Sequence, residues 1–211
     1  MFVLARLLIF TVLLFPVAVH AQSDDSGPAG TTTFGMVVDN SGTFRLAIDR
    51  AIRLLTPFIM EKDESARGFL VVYSEPERIL LRQDPTDDID ELVDALENMH
   101  VLPGRSAVWD AVGIAAGQFP EESPSEGERR ILVVVTDGDE KGSIARPASV
   151  IASLRERNIE VYVIGMAEQR ISERMIDRLV RETGGKKLIA QRQDDVLRAT
   201  AELTEMIWRS K

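Results

Sequence analysis

The stretch RRILVVVTDGD at residues 129–139 decides the fold. Its five consecutive apolar side chains, Ile131 to Val135, form the most hydrophobic of the predicted strands. A strand that is apolar on both faces is typical of the centre of a parallel sheet covered by helices. The polar residues Thr136 to Asp139 follow at once. Ligands bind beyond the carboxyl ends of strands in such sheets, so this segment predicts a central strand that ends in a functional site.

Strands and helices alternate on either side of that segment. The other apolar runs that predict strands are residues 34–38, 69–73, 78–82, 161–164 and 188–190. Only four residues separate the second strand from the third, which is too few for a parallel crossover, so the third should be antiparallel. Asp84 and Pro85 predict the N-cap and first turn of the next helix. The pattern indicates one doubly wound α/β domain with a mostly parallel six-stranded sheet over residues 32–211.

Composition excludes several classes of site. The chain has 211 residues, a formal net charge of −9, no cysteine and two histidines. Without cysteine there is no disulfide framework, iron–sulfur cluster, thiolate zinc site or thiol nucleophile. The acidic balance argues against nucleic acid as a partner, because such binding needs a basic face.

The amino terminus has the pattern of an export signal. Arg6 is the only charge before Asp24, an apolar run extends from Leu7 to Val19, and Val19-His20-Ala21 offers small residues at the cleavage positions. We predict a signal peptide over residues 1–21, cut after Ala21, and a flexible polar leader over residues 22–31. An exported protein without cysteine fits a bacterial cell envelope better than a eukaryotic secreted module. We therefore predict a periplasmic or secreted protein with no membrane span once the signal is removed. The alternative is that the apolar run stays in place as an anchor, although it is short for a span.

Three predicted loops bring oxygen ligands to one edge of the sheet. The first strand runs into Asp39, Ser41 and Thr43; Ser106 precedes a helix; and Asp137 follows the fourth strand. Carboxylates and hydroxyls without histidine or cysteine suit Mg²⁺ or Mn²⁺. Gly42 is expected to let the first loop bend tightly.

These motifs resemble a von Willebrand factor type A domain. The pattern D-x-S-x-T at residues 39–43, the G-x-S-A-V-W-D-A stretch at residues 104–111 and V-V-V-T-D-G at residues 133–138 occur in the order of its metal-ion-dependent adhesion site. The resemblance implies strand order 3-2-1-4-5-6, helices on both faces, and Asp39, Ser41, Thr43, Ser106 and Asp137 as metal ligands. Thr43 stands where the family usually has serine, and Ser106 stands where it usually has threonine. Arg105 stands where glycine is common in the family.

The resemblance also implies a function. In this family an Asp or Glu of a protein partner fills the open metal position, so we predict an exported module that binds an acidic residue through Mg²⁺ or Mn²⁺ and is not an enzyme. One alternative is a scaffold that binds no metal, because the Arg105 guanidinium repels a cation. Another is a magnesium-dependent phosphatase-like hydrolase with Asp137 as nucleophile and Asp139 as acid.

Single residues of the motifs also have simpler interpretations. Asp39 and Ser106 could each cap the helix that follows. Asp110 is expected to make a local structural hydrogen bond, and Asp139 and Glu140 are expected to form a solvated acidic loop.

Overall fold

The sheet has six strands in the order 3-2-1-4-5-6. A computed structural model describes residues 31–209, and the predicted signal peptide and nearly all of the predicted leader lie outside these residues. The strands are β1 (Thr32–Asp39), β2 (Arg67–Tyr73), β3 (Ile79–Thr86), β4 (Arg129–Thr136), β5 (Ile159–Gly165) and β6 (Lys187–Ile189). All neighbours pair in parallel except β3, which is antiparallel to β2. The predicted fold class and strand order are confirmed.

Helices cover both faces of the sheet. They are α1 (Ile48–Met60), α2 (Ile89–Glu97), α3 (Val108–Ala116), α4 (Pro147–Glu156), α5 (Glu173–Thr183) and α6 (Gln193–Thr204), followed by a short π-helical turn at Glu205–Arg209. The apolar faces of α1, α2 and α6 pack on one side, and those of α3, α4 and α5 pack on the other. Within residues 31–209, no helix is both long and apolar enough to cross a membrane.

The apolar run of β4 is buried because helices cover both of its faces. Ile131, Val133 and Val135 point into the core of α1, α2 and α6. Leu132 and Val134 point into the opposite core. Side chains that alternate between two cores leave no face for water, which explains a continuous apolar run rather than an alternating one.

A crevice forms where β1 and β4 lie side by side. The chain leaves β1 toward α1 on one face of the sheet and leaves β4 toward α4 on the other. The two connections therefore diverge at the carboxyl edge, which is the switch point of a doubly wound sheet. Asp39 ends β1 and Asp137 directly follows β4, so both carboxylates enter this crevice.

The predicted start of α2 at Asp84 and Pro85 is wrong. β3 continues to Thr86, and Thr86 pairs with Gly68 of β2. The N-cap is Asp88, whose carboxylate accepts the N–H groups of Asp90 and Glu91 at 2.8 and 3.2 Å. Pro85 fits within β3 because an edge strand does not need every backbone N–H for pairing.

Candidate functional site

Asp39 is the centre of the site. It lies at the end of β1 and has no exposed surface. Its Oδ1 accepts the Ser41 backbone N–H at 2.8 Å, and its Oδ2 accepts the hydroxyls of Ser106 at 2.9 Å and Tyr73 at 3.3 Å. Burial raises the pKa of Asp39 to about 6, the charge of Asp137 adds to the rise, and the bonds from Ser41 and Ser106 oppose it. The carboxylate is therefore positioned by three donors in a place that disfavours its charge.

The loop between β1 and α1 links Asp39 to Asp137 through its hydroxyl side chains. The hydroxyls of Ser41 and Thr43 lie 3.0 Å apart. Burial raises the pKa of Asp137, while hydrogen bonds from the Asp139 backbone N–H and the Thr43 side chain oppose that rise. Ser41 is buried and Thr43 is exposed, so the row of hydroxyls extends from the interior to the surface. The five residues proposed from the sequence are thus linked in one cluster.

Ser106 reaches this cluster because other residues cap the helix that follows it. The N-cap position of α3 is Ala107, and its side chain makes no capping bond. The Trp109 N–H donates instead to Glu140 Oε2 at 3.2 Å and to Ser143 Oγ at 3.0 Å. The interpretation of Ser106 as an N-cap is therefore wrong. With the helix end satisfied by the β4–α4 loop, the Ser106 hydroxyl is available to Asp39.

Asp110 holds the same loop from the other direction. Its carboxylate accepts the N–H groups of Ile144 at 2.9 Å and Ala145 at 2.6 Å. The backbone N–H groups of Lys141 and Gly142 donate to the Ser106 carbonyl at 3.2 and 3.1 Å. Asp110 therefore has a structural role, but the expectation of a local hydrogen bond is wrong, because its partners lie 34 and 35 residues away. The loop between β4 and α4 is thus fastened to the start of α3.

The glycine that the site requires is not the one predicted. A Cβ at Gly42 would meet nothing within 4 Å, and Gly42 is not among the described residues with positive φ. A Cβ at Gly142 would lie 2.2 Å from the Arg105 carbonyl oxygen. A Cβ at Gly138, whose φ is +76°, would lie 2.2 Å from the Ser172 carbonyl oxygen. Close approach of the β4–α4 loop to its neighbours, rather than a bend in the first loop, requires glycine.

Tyr73 is a site residue that the sequence reasoning missed. It ends β2 in register with Asp39, and its side chain is fully buried. Burial raises the pKa of Tyr73 well above its usual value, and the charge of Asp39 adds to that effect. The phenol therefore stays protonated and donates to the carboxylate. Its place at the carboxyl end of a strand next to β1 was the available signal.

The chemistry of the donors fits a hard divalent cation. Two carboxylates and three hydroxyls supply only oxygen, which is what Mg²⁺ and Mn²⁺ select. Among residues 31–209, no arginine or lysine nitrogen lies within 4.0 Å of the carboxylate of Asp39 or Asp137. The same residues contain no group of three or more carboxylates and imidazoles suited to a metal. Any cation here would therefore take hydroxyl oxygens beside the two carboxylates.

Removing the Asp39 charge should stabilise the metal-free protein above about pH 6. A carboxyl whose folded pKa is raised to about 6 from 3.8 disfavours the folded state as pH rises through that interval. The difference corresponds to about 3 kcal/mol of unfolding free energy at pH 7. We expect metal-stripped Asp39→Asn to exceed the parent by up to that amount at pH 7 and to match it below pH 4. Urea unfolding measures both, and exposed Glu64→Gln is the control. A gain that does not vary with pH would contradict this account.

Replacing Gly142 by alanine should loosen the β4–α4 loop. The new methyl would overlap the Arg105 carbonyl, and such overpacking destabilises by roughly 1–3 kcal/mol. We expect urea unfolding to show that loss and the Trp109 amide to exchange faster with solvent. Gly42→Ala is the matched control and should change stability by less than about 0.5 kcal/mol. Equal effects of the two substitutions on stability would refute the requirement for glycine at residue 142.

Comparison with known proteins places the chain in a family. The von Willebrand factor type A domain family matches residues 35–197. The collagen alpha-6(VI) chain of Mus musculus is 27% identical over 139 residues, which are 62% of this chain and 6% of the collagen chain. The crystal structure of BatB from Bacteroides thetaiotaomicron superposes with a TM-score of 0.66 at 18% identity, over 83% of this chain and 98% of that one. A von Willebrand factor type A structure from Catenulispora acidiphila superposes with a TM-score of 0.69 at 16% identity, over 83% of this chain and 42% of that one. The chain therefore belongs to the von Willebrand factor type A domain family.

Proposed function

We propose that the chain is an exported binding module in which Mg²⁺ or Mn²⁺ joins the domain to an Asp or Glu of a protein partner. The metal would be held by Asp39, Ser41, Thr43, Ser106 and Asp137. One observation carries the proposal: the Asp39 carboxylate is fully buried close to Asp137, and neither has a basic partner within 4.0 Å among residues 31–209. Buried charges in proteins are normally paired or coordinate metals.

The hydroxyl groups support a cation between these carboxylates. Ser106 donates its hydrogen to Asp39 Oδ2, which leaves its oxygen lone pairs directed elsewhere. Ser41 and Thr43 have the same capacity, since one hydroxyl hydrogen serves the contact between them. When bound, the cation would supply positive charge that offsets Asp39 and Asp137 and would accept oxygen ligands. Mg²⁺ seldom takes a complete protein cage, so coordination positions would remain for an outside oxygen.

The surroundings of the site favour an acidic protein as that outside ligand. Arg105 lies beside Ser106, is exposed, and has no carboxylate within 4.0 Å among the described residues. Two exposed apolar side chains belong to loops at the same edge: Leu46 follows β1 and is 60% exposed, and Ile144 follows β4 and is 79% exposed. Apolar and basic side chains around the proposed metal site are complementary to a protein surface that carries Asp or Glu.

Binding is favoured over hydrolysis by the contacts of Asp139. Its carboxylate lies 2.5 Å from Lys141 Nζ, and its backbone N–H donates to Asp137. That ion pair occupies the group which would have to deliver a proton in a phosphatase-like reaction. We therefore propose no catalytic role for Asp137 or Asp139.

A metal-independent scaffold is the second candidate, and Arg105 favours it. A guanidinium at this edge raises the local positive potential and opposes a divalent cation. The hydrogen bonds that Asp39 accepts also give the cluster a stable arrangement by itself. In that case the same face would bind its partner through Arg105 and the exposed apolar residues.

Metal titration separates these two candidates. We expect calorimetry to show one saturable Mn²⁺ or Mg²⁺ site per chain, absent in Asp39→Ala and in Asp137→Ala. Exposed Glu64→Gln should bind metal like the parent protein. Absence of heat and of saturation for the parent at millimolar metal would exclude the metal-dependent proposal and leave the scaffold.

A substitution at Arg105 tests the acidic partner. Arg105→Gln should raise metal affinity by about fivefold, because it removes a positive charge at the residue next to Ser106. The same substitution should weaken the binding of a peptide with a single Glu, because it removes the guanidinium group that attracts the peptide carboxylate. Water-proton relaxation of the Mn²⁺-loaded protein reports both, since a bound carboxylate displaces metal-bound water. The matching Gln peptide and excess EDTA should abolish the peptide signal. Equal signals from the Glu and Gln peptides would refute carboxylate recognition.

A further inference from the structure

A cavity of about 340 Å³ lies beside the candidate metal centre, between α3, α5 and the β4–α4 loop. Trp109 and Met175 line it and are both almost completely buried. Arg174, Arg178 and Lys141 also line it. The cavity thus combines an apolar floor with basic side chains, which is a surface for an amphipathic acidic group.

The cavity adjoins the metal loops directly. Gly138, which lines it, follows Asp137 in the chain. The Ser172 N–H, from a residue that also lines it, donates to the Asp137 carbonyl at 2.8 Å. Consecutive Cα atoms are about 3.8 Å apart, so a bound segment could reach both places with side chains a few residues apart.

The two arginines have donors to spare. Arg174 and Arg178 lie one turn apart on α5, and neither has a carboxylate within 4.0 Å among residues 31–209. The guanidinium carbon of Arg178 lies 5.8 Å from the centre of the Trp109 ring. An arginine that rests on an aromatic face is held in place while its N–H groups remain free for a planar carboxylate.

The acidic residues of the cavity already have partners. Asp139 pairs with Lys141 at 2.5 Å. The Glu140 carboxylate accepts N–H groups from Trp109 and Ser143 as part of the α3 cap. Asp139 offsets Lys141 and Glu140 offsets the charge of one arginine, so the lining keeps a net charge of about +1, with both guanidinium groups outside ion-pair distance of a carboxylate. Because the two acids also lie there, one singly charged carboxylate is favoured over a doubly charged phosphate.

We infer that this cavity binds a second carboxylate, a Glu side chain from the same partner segment whose first acidic residue occupies the metal centre. The inference rests on the proposed function. The methylene groups of Glu would pack on Trp109 and Met175, and its carboxylate would accept hydrogen bonds from Arg174 and Arg178. The domain would then recognise a pair of acidic residues at one spacing rather than any single exposed acid.

Peptides with one or two Glu residues test the inference. The full chain, with Mg²⁺ present, is titrated with a single-Glu peptide and with peptides that carry a second Glu two, three, four or five residues away. Chemical shifts of arginine Nε–H groups in ¹⁵N-labelled protein report contact with the guanidinium groups, and the same titrations give affinities. Variants are Arg174→Gln with Arg178→Gln together, Asp39→Ala, and Arg181→Gln as a control on the same helix.

We expect the second Glu to tighten binding by about tenfold at one spacing and to move the Arg174 and Arg178 signals. The double variant should lose that gain and keep the single-Glu affinity, Arg181→Gln should keep both, and Asp39→Ala should lose all binding. A gain that persists in the double variant, or no gain at any spacing, overturns the inference. Absence of single-Glu binding to the parent overturns the proposed function itself. Inorganic phosphate that moves the arginine signals where two-Glu peptides do not would assign the cavity to a phosphate group.

Discussion

The fully buried carboxylate of Asp39 is the constraint around which this edge of the domain is arranged. It exists because the apolar part of β1 contacts both cores and the strand ends inside the protein, so the polar residue at its end is still shielded from water. Burial raises the pKa of Asp39 to about 6, so its charge at neutral pH lowers the stability of the metal-free folded domain. Hydrogen bonds from Ser41, Ser106 and Tyr73 reduce that disadvantage without removing it. A domain optimised for stability alone would place an uncharged residue here.

Most of the fold could be predicted from the sequence because its strands are buried on both faces. Continuous apolar runs mark β1, β2, β4 and β5 independently of their partners, and the short link before β3 determines its direction. The start of α2 could not be predicted in this way. Asp84 and Pro85 have the chemistry of a cap and a first turn, as have many helix starts. What decides against them is the pairing of Thr86 with Gly68, a tertiary contact that local sequence does not contain.

The residues of the candidate site could be predicted from the sequence, but the contacts that hold them in position could not. The carboxyl ends of parallel strands meet at one edge, so Asp39 and Asp137 had to be neighbours once the strand order was known. The role of Ser106 depended on contacts across 31 and 34 residues, since Glu140 and Ser143 cap α3 in its place. The requirement for glycine at residue 142 likewise arises from the approach of two loops. Sequence patterns report local chemistry and burial, whereas these features depend on which loops touch.

The distribution of charge gives this edge a direction for binding that the composition alone would not suggest. A chain with a net charge of −9 repels an acidic partner over most of its surface. Charges separated by more than about 8 Å are largely screened at physiological ionic strength, so nearby groups dominate once the partner is close. Near the metal loops those groups include Arg105, Arg174 and Arg178, none of which has a carboxylate within 4.0 Å among residues 31–209. For the acidic partner proposed here, repulsion elsewhere and attraction at this edge act together, so that the overall acidity of the chain helps to orient the encounter rather than to prevent it.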